Sequence, residues 1–474
     1  MRNYNGRLED KVVAARIVPG LRRNWGVALF GVAVLLHLLL LGSLFWEYLN
    51  PLFGDSDLHP QGTDFFAVYE GGRNAIEDRS LFFYDPQDTS STPYHTPYRY
   101  LPGLAYVVGV PSNAVPAWWA YWAWVACTEL LLVLTVYGTW RIAGRGNVAL
   151  VAAAMWMAFT PYFVELYMGQ FSFVMAVALF WTGVGVARGE RALAAVPWIA
   201  SLVTKSSSAV LVPLFVRLGW WRPLGGAALV VALALLYFAF RPGEVDYFLW
   251  LNSSGTIGET QIGLLELEPS ERQDFFYVDQ DVRFFHYQPG ELGAVAFLTN
   301  SLLTRDSAST MVPSAYTGTL AAAVVISSLV ATFLARRNDA LALFAIWSSV
   351  LFLIYPVWEH HYVMLLPALV LLVVQRPGLR AWTLLAFVFV AAPTPYWLMN
   401  NVWNTGPAPP SGMLISPQEV WPAWGVILYH GVKAVPVFVF WAFLVTRELR
   451  SGLRIPGAGF VRAPVGPTVT VQEE

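Results

Sequence analysis

The sequence predicts an all-α protein that crosses a membrane several times. Of its 474 residues, 56% are hydrophobic and only 13% are charged, whereas a soluble domain usually carries about 25% charged residues. Apolar runs recur along the whole chain, many of them near the roughly 20 residues that a helix needs to span a bilayer. Helices are expected in such runs because lipid offers the backbone no hydrogen-bond partners.

Basic residues set the predicted orientation. Arginines and lysines are frequent in residues 1–24, ahead of a first apolar run from about Trp25 to Tyr48. The positive-inside rule therefore places the N-terminus in the cytoplasm. Later in the sequence, basic clusters that should be cytoplasmic alternate with acidic loops that should lie on the outer face. We thus predict a multi-pass protein of the cell membrane with about twelve membrane segments and both termini cytoplasmic.

The predicted domain organisation is one membrane domain, residues 1–450, followed by a tail. Loops on the outer face are expected at 49–100, 241–312 and 400–422. The second loop is acidic and aromatic, which suits either a solvated face or a lid that binds an acceptor. Residues 451–474 are rich in Gly and Pro and lack a helical period, so we predict a disordered cytoplasmic tail.

A short helical hairpin is predicted between Ala192 and Val216. Basic residues flank both ends of this apolar stretch, so both ends should lie on the cytoplasmic side. The stretch is too short for two full crossings at about 1.5 Å per residue. The chain should therefore turn back near Lys205.

The first outer loop contains a candidate interfacial helix. Residues 65–79 have an amphipathic pattern, and we expect Phe65, Phe66, Val68 and Tyr69 to face lipid.

Composition excludes several function classes. The formal net charge is −2, which leaves no electrostatic footprint for nucleic acid. The single cysteine, Cys127, rules out an internal disulfide. Asp55 and Asp57 form an Asp-x-Asp pair, which suits either a metal held with a sugar nucleotide or a turn and cap. We see no zinc-type ligand spacing, and we predict no metal and no cofactor.

Asp64 is a catalytic candidate, because a carboxylate can act as a general base that takes the proton of a reacting hydroxyl. The alternative is a helix N-cap just before Phe65.

Two basic residues are candidate phosphate ligands. A lysine within a bilayer costs roughly 2.5–3.5 kcal/mol on insertion scales, so Lys205 should face water or an anionic partner. Snorkelling to the interface is the alternative. The planar fork of Arg99 also suits phosphate, although Arg99 lies between two tyrosines in sequence and a stacked loop clamp is equally consistent.

Other polar candidates lie at predicted outer helix ends. Adjacent helical residues point about 100° apart, so only one of His360 and His361 should face the site, and we favour His361. Gln170 and Glu165 suit either sugar hydroxyls or capping of a helix turn.

The order of these motifs resembles one known family. The stretches that carry the resemblance, over roughly residues 30–450, are Asp64-Phe65-Phe66-Ala67-Val68-Tyr69, Leu81-Phe82-Phe83-Tyr84-Asp85-Pro86, Tyr98-Arg99-Tyr100-Leu101-Pro102, Gly169-Gln170-Phe171-Ser172, Lys205-Ser206 and Trp358-Glu359-His360-His361-Tyr362. Together they resemble the polyprenol-phosphate-mannose-dependent α-mannosyltransferases, glycosyltransferase family 87 of the GT-C superfamily. The sequence departs from the family pattern at Ser206, where the family has proline, and at Ser172, where it has asparagine.

The resemblance implies a GT-C fold and an inverting hexosyltransferase. The expected partners are a polyprenyl-phosphate sugar donor, with mannose as the sugar, and a lipid or glycan acceptor on the outer face. It also implies a site in which the catalytic residues are Asp64 and His361, and the substrate-binding residues are Arg99, Tyr100, Gln170, Lys205, His360 and Glu359.

Two rival functions remain open at this point. A related transferase would use another polyprenyl-phosphate sugar, such as arabinose or glucose. A transporter or lipid flippase would usually show internal repeats and polar breaks at the membrane midplane. We find no internal repeat, and the distinctive polar residues gather at predicted outer helix ends.

Overall fold

The computed structural model describes residues 6–49, 61–83, 90–93, 98–245, 248, 314–334, 339–354, 359–393 and 423–452. Within these ranges the regular secondary structure is helical and no β-strand occurs, which confirms the predicted all-α class. Asp55 and Asp57, nearly all of the loop 241–312, the loop 400–422 and the tail beyond residue 452 lie outside the described residues.

The first half of the chain is mostly helical where it is described. Its helical elements are α1 (Gly6–Trp46), α2 (Thr63–Ile76), α3 (Pro102–Leu104), a π-helical segment (Ala105–Gly109), α4 (Val110–Ser112), α5 (Ala117–Ala143), α6 (Asn147–Met157), α7 (Pro161–Met168), α8 (Ser172–Arg188), α9 (Arg191–Thr204), a 3-10 segment (Ser206–Leu211), α10 (Val212–Arg217) and α11 (Trp221–Phe240).

The second half is also helical where it is described. Its elements are α12 (Ser314–Leu334), α13 (Ala340–Ile354), a 3-10 segment (Glu359–Met364), α14 (Leu366–Gln375), a 3-10 turn (Pro377–Leu379), α15 (Arg380–Ala391) and α16 (Ala423–Gly452).

Several helices have the length and apolar composition needed to cross a membrane. In the described part of the chain there are three, Trp25–Trp46, Ala117–Ala143 and Trp221–Phe240. The count reaches five if two bent pairs each form one span, namely α6 with α7, bent by 42°, and His360–Gln375 with Pro377–Ala391, bent by 120°. The other apolar helices, which include α8, α9 and α13, are shorter.

The core lies on helices that are apolar on every side. All residues from Leu341 to Leu353 of α13 are buried, and so are all eight residues of α7. The candidate spans α5 and α11 instead present large apolar side chains outward, such as Trp119 at 72% and Phe240 at 79% exposure. A helix that is apolar all round lies inside a protein or against lipid. The buried helices α7 and α13 fit the first case, and the outward apolar side chains of α5 and α11 fit the second.

The predicted hairpin between Ala192 and Val216 is present. The ring of Trp198 stacks on Phe215 at 4.2 Å between centroids, and its indole N–H donates to the carbonyl of Ser208 at 3.0 Å. The Ser201 hydroxyl also donates to Ser208 Oγ at 2.7 Å. These contacts fold α10 back onto α9. Lys205 occupies the turn in an extended conformation, with φ −144° and ψ 117°.

The predicted lipid-facing side of residues 65–79 is wrong. A helix forms there, α2, but Phe65, Phe66, Val68 and Tyr69 are all buried within the protein. Tyr121 of α5 packs against both Phe65 and Phe66, and the short helical run from α3 to α4 also packs against α2. Glycines permit the close approach, because a Cβ added to Gly72 would lie 2.0 Å from the carbonyl carbon of Gly109. Protein rather than lipid therefore covers this apolar face.

Candidate functional site

Asp64 lies in the first turn of α2, one residue beyond the helix start. The N-cap is Gly62, whose φ of +83° is left-handed, a conformation that glycine adopts at little cost. Its N–H donates to the carbonyl of Tyr167 at 2.8 Å, which ties the start of α2 to the end of α7. The alternative role of Asp64 as the N-cap is therefore wrong, since Gly62 occupies that position.

A tight turn between α7 and α8 brings Gln170 to the same place. Gly169 has φ +69°, and a Cβ added there would lie 2.6 Å from the Cβ of Phe65. The turn thus packs directly against the residue that follows Asp64. The indole N–H of Trp124 donates to the Gln170 carbonyl at 3.3 Å, so the turn is held from α5 as well.

Glu165 caps α8. Its Oε1 accepts the backbone N–H of Phe173 at 2.6 Å, and its carbonyl accepts the N–H of Gln170 at 2.9 Å. The capping alternative for Glu165 is thus observed. Gln170 differs, because its side chain points to other polar groups of the site.

Lys205 is the centre of the polar cluster. Its ammonium donates to Gln170 Oε1 at 3.0 Å, to Ser172 Oγ at 2.7 Å and to His361 Nε2 at 3.1 Å. An ammonium has three N–H donors and no acceptor, so these contacts use all of them. Lys205 thereby joins the α7–α8 turn, the α9–α10 hairpin and the 3-10 segment at Glu359–Met364.

The contact with Lys205 assigns one tautomer to His361 when Lys205 carries its charge. Because the ammonium is a donor, Nε2 of His361 must accept, and the proton of the neutral ring then resides on Nδ1. The Nε2 lone pair is used in this arrangement. The catalytic role that the resemblance implies for His361 stays a prediction.

Of the histidine pair, His361 lies within hydrogen-bond distance of Lys205. His360 is buried at 1% exposure, and its ring lies 4.2 Å from that of His361, centroid to centroid. Glu359 begins the same 3-10 segment, and its side chain lies outside the described part of the structure.

Tyr100 and Arg99 complete the cluster. The Tyr100 hydroxyl donates to Gln170 Oε1 at 3.3 Å, and its ring meets the edge of Phe171 at 5.6 Å. The positive charge of Arg99 acts on Asp64. Among the described residues, no aromatic ring lies in cation–π contact with Arg99, and its buried Nε has no hydrogen-bond partner there.

The carboxylate of Asp64 is half-buried and incompletely satisfied. Burial raises its pKa, while the charge of Lys205, the amide of Gln170 and the charge of Arg99 oppose that rise without cancelling it. Its Oδ2 is buried and has no hydrogen-bond partner within the described ranges. A buried acceptor without a donor is costly, and here it faces two positive charges. The arrangement suits a base that receives a proton from a bound hydroxyl.

The described side chains include no cluster of three or more His, Cys, Asp or Glu residues arranged to hold a metal ion. The metal hypothesis for Asp55 and Asp57 stays untested, since both residues lie outside the described ranges.

Sequence reasoning missed Ser172 as a ligand of Lys205. It also passed over a buried pair, His37 and Glu129, that lies in candidate membrane spans. A signal for this pair was present, because ionisable residues inside apolar runs are rare and generally functional.

No protein-family model matches this chain, and no curated protein matches it significantly.

Proposed function

We propose that the protein is an integral membrane hexosyltransferase. It transfers a sugar, mannose by the resemblance of its motifs, from a polyprenyl phosphate to a lipid or glycan acceptor on the outer face. The supporting observation is that Asp64 Oδ2 and Arg99 Nε are each buried without a hydrogen-bond partner in the described part of the chain. An acceptor hydroxyl would satisfy the first atom, and a phosphate oxygen the second.

The reaction needs one base and one anion site. The oxygen of the acceptor hydroxyl attacks the anomeric carbon from the side opposite the phosphate, which inverts the configuration. The bond from that carbon to the phosphate oxygen breaks, and polyprenyl phosphate leaves with the electron pair. Asp64 takes the hydroxyl proton. General-base catalysis of this kind contributes a factor of about 10²–10⁴ in rate.

The role proposed for Lys205 follows from its contacts. Its three donors are already used by Gln170, Ser172 and His361, so it stabilises the leaving phosphate by charge and holds the site together. Arg99 is the better direct ligand, because its Nε is available and its planar fork matches phosphate geometry.

The fold belongs to this proposal as well. We propose a GT-C arrangement of about twelve membrane segments with both termini cytoplasmic, in which the shorter apolar helices complete the membrane domain. The site then lies where α2, the α7–α8 turn and the α9–α10 hairpin meet. The lipid tail of the donor enters between helices, and the acceptor approaches from the outer side.

The test is a donor panel on purified protein in lipid vesicles. Polyprenyl phosphates carrying labelled mannose, glucose or arabinose are offered with membrane lipid extracts, and labelled products are analysed. Transfer from one donor that is lost in Asp64→Asn, but retained in the surface variant Glu77→Gln, supports the proposal. Absence of transfer from every donor, with substrate uptake or lipid scrambling that survives Asp64→Asn, supports the transporter or flippase alternative.

A further inference from the structure

A second buried polar cluster lies away from the site, near the middle of two candidate spans. His37 Nε2 of α1 lies 2.9 Å from Glu129 Oε2 of α5. The hydroxyl of Tyr162, on α7, donates to Glu129 Oε1 at 2.9 Å, and the Tyr162 ring stacks on His37 at 5.9 Å between centroids. We refer to these three residues as the α1–α5–α7 cluster.

The position of the cluster is costly. His37 is 4% exposed, and it is nine residues from the end of the span Trp25–Trp46, which is about 14 Å at the rise of an α-helix. Ionisable residues at such depth are expensive to insert and generally functional. The proposed transfer reaction leaves all three members without a role.

Packing links the cluster to the site through Phe173. The ring of Tyr162 meets the ring of Phe173 edge-on at 4.6 Å between centroids. Glu165, one turn along α7, accepts the N–H of the same Phe173. Phe173 directly follows Ser172, which accepts a hydrogen bond from Lys205. The first turn of α8 is therefore held by two residues on the same face of α7.

We propose that Glu129 and Tyr162 are positioning residues for the site. Glu129 bonds Tyr162 and pairs with His37, so three helices are locked together at the depth of the cluster. These contacts fix the position of α7, and α7 in turn fixes the position of Ser172 and hence of Lys205. The coupling between cluster and site is independent of any reaction, whereas its effect on turnover rests on the proposed function.

A double-mutant cycle on thermal unfolding tests the coupling. Glu129→Gln and Ser172→Ala are made singly and together, and the melting temperature of the detergent-purified protein is measured. Sites without a shared network add, whereas coupled sites do not. We expect the double variant to melt well above the temperature that the sum of the single shifts predicts. The control pair combines Glu129→Gln with Thr332→Val on α12, and its shifts should add.

Tyr162→Phe, combined with Ser172→Ala in the same way, provides a second unfolding cycle if Glu129→Gln expresses poorly. It keeps the ring against Phe173 and removes only the hydroxyl that binds Glu129. A positioning role predicts a turnover number that falls roughly tenfold or more, because small misplacements of reacting groups are expensive. The donor KM should stay unchanged, and the exposed-tyrosine control Tyr137→Phe should behave as wild type.

The outcomes separate the two proposals. Coupling in the unfolding cycle together with an inactive wild type would overturn the transferase and leave the positioning inference intact. Additive shifts in both cycles would overturn the inference whatever the activity. A normal turnover number in Tyr162→Phe would also overturn it.

Discussion

The ammonium of Lys205 lies 3.1 Å from Nε2 of His361, although 156 positions separate the two residues in the sequence. The contact joins the turn of a short hairpin to a 3-10 segment in the second half of the chain. It also commits the Nε2 lone pair of His361 to a donor, whereas Asp64 Oδ2 is buried without a hydrogen-bond partner in the described part of the chain.

Replacement of Asp64 should separate activity from stability. Asp64→Asn keeps the shape and removes the proton acceptor, so transfer should fall by about 10²–10⁴. Burial raises the folded-state pKa of Asp64, so its ionised form is the less favourable one in the folded protein, and stability is lost as the pH rises through that pKa. At neutral pH the melting temperature of Asp64→Asn should therefore rise.

Parallel measurements on Asp55→Asn and Asp57→Asn provide the comparison. Both should transfer at close to the wild-type rate. Near-normal turnover in Asp64→Asn, with loss in Asp57→Asn, would move the catalytic assignment to the Asp-x-Asp pair.

The pH profile of kcat/KM should report the same carboxylate. A base works only when unprotonated, so activity should fall as the pH drops through the Asp64 pKa, which burial raises above the ordinary 3.8. The charge of Arg99 partly opposes that rise. In Arg99→Gln the acid limb should move to higher pH, and an unmoved limb would show that another group controls it.

Substitution of Lys205 should damage the site in more than one way. Lys205→Met leaves the acceptors of Gln170, Ser172 and His361 without their common donor, and each such loss costs about 1–3 kcal/mol when the group is buried. We expect weaker donor binding, a lower turnover number and a lower melting temperature. The surface variant Arg188→Met gives the control. Wild-type donor affinity in a well-folded Lys205→Met protein would contradict the proposed charge effect on phosphate.

Two glycines with nearly equal backbone angles allow a matched test of the α7–α8 turn. Gly169 has φ +69° and Gly189 has φ +70°, but only Gly169 has neighbours within 4 Å of an added Cβ. Gly189→Ala should cost only the left-handed conformation, about 1–2 kcal/mol. Gly169→Ala should cost more and should reduce transfer, because its methyl group displaces Phe65 and hence Asp64. Equal losses of melting temperature and activity in the two variants would count against this packing.

Topology can be checked by labelling introduced cysteines. In a Cys127→Ser background, Ser90→Cys should react with an impermeant thiol reagent from the outer side, and Ser451→Cys only from the cytoplasmic side. The expectation rests on the distribution of arginine and lysine. Reaction of both positions from the same side would refute the proposed orientation.

The sequence by itself determined the helical class and the hairpin at Lys205. The composition predicts helices, since apolar runs in lipid close their hydrogen bonds only within helices. The basic residues on both sides of a short apolar stretch predict the hairpin. The sequence also identified six side chains that the structure brings together: Asp64, Arg99, Tyr100, Gln170, Lys205 and His361. Lys205 was recognisable because a charged group inside an apolar run needs a reason to be there, and the resemblance of the motifs pointed to the others.

Only the tertiary structure decided which residues these polar groups and the apolar helix faces contact. An amphipathic pattern shows that a face is apolar but not whether lipid or protein covers it, which is why Phe65 and Phe66 were assigned to lipid and are buried instead. Likewise, the sequence does not show that Lys205 donates hydrogen bonds to Ser172 and His361, or that His37 contacts Glu129. Hydrogen bonds and packing act over a few ångströms in space, and helices distant in sequence supply the partners.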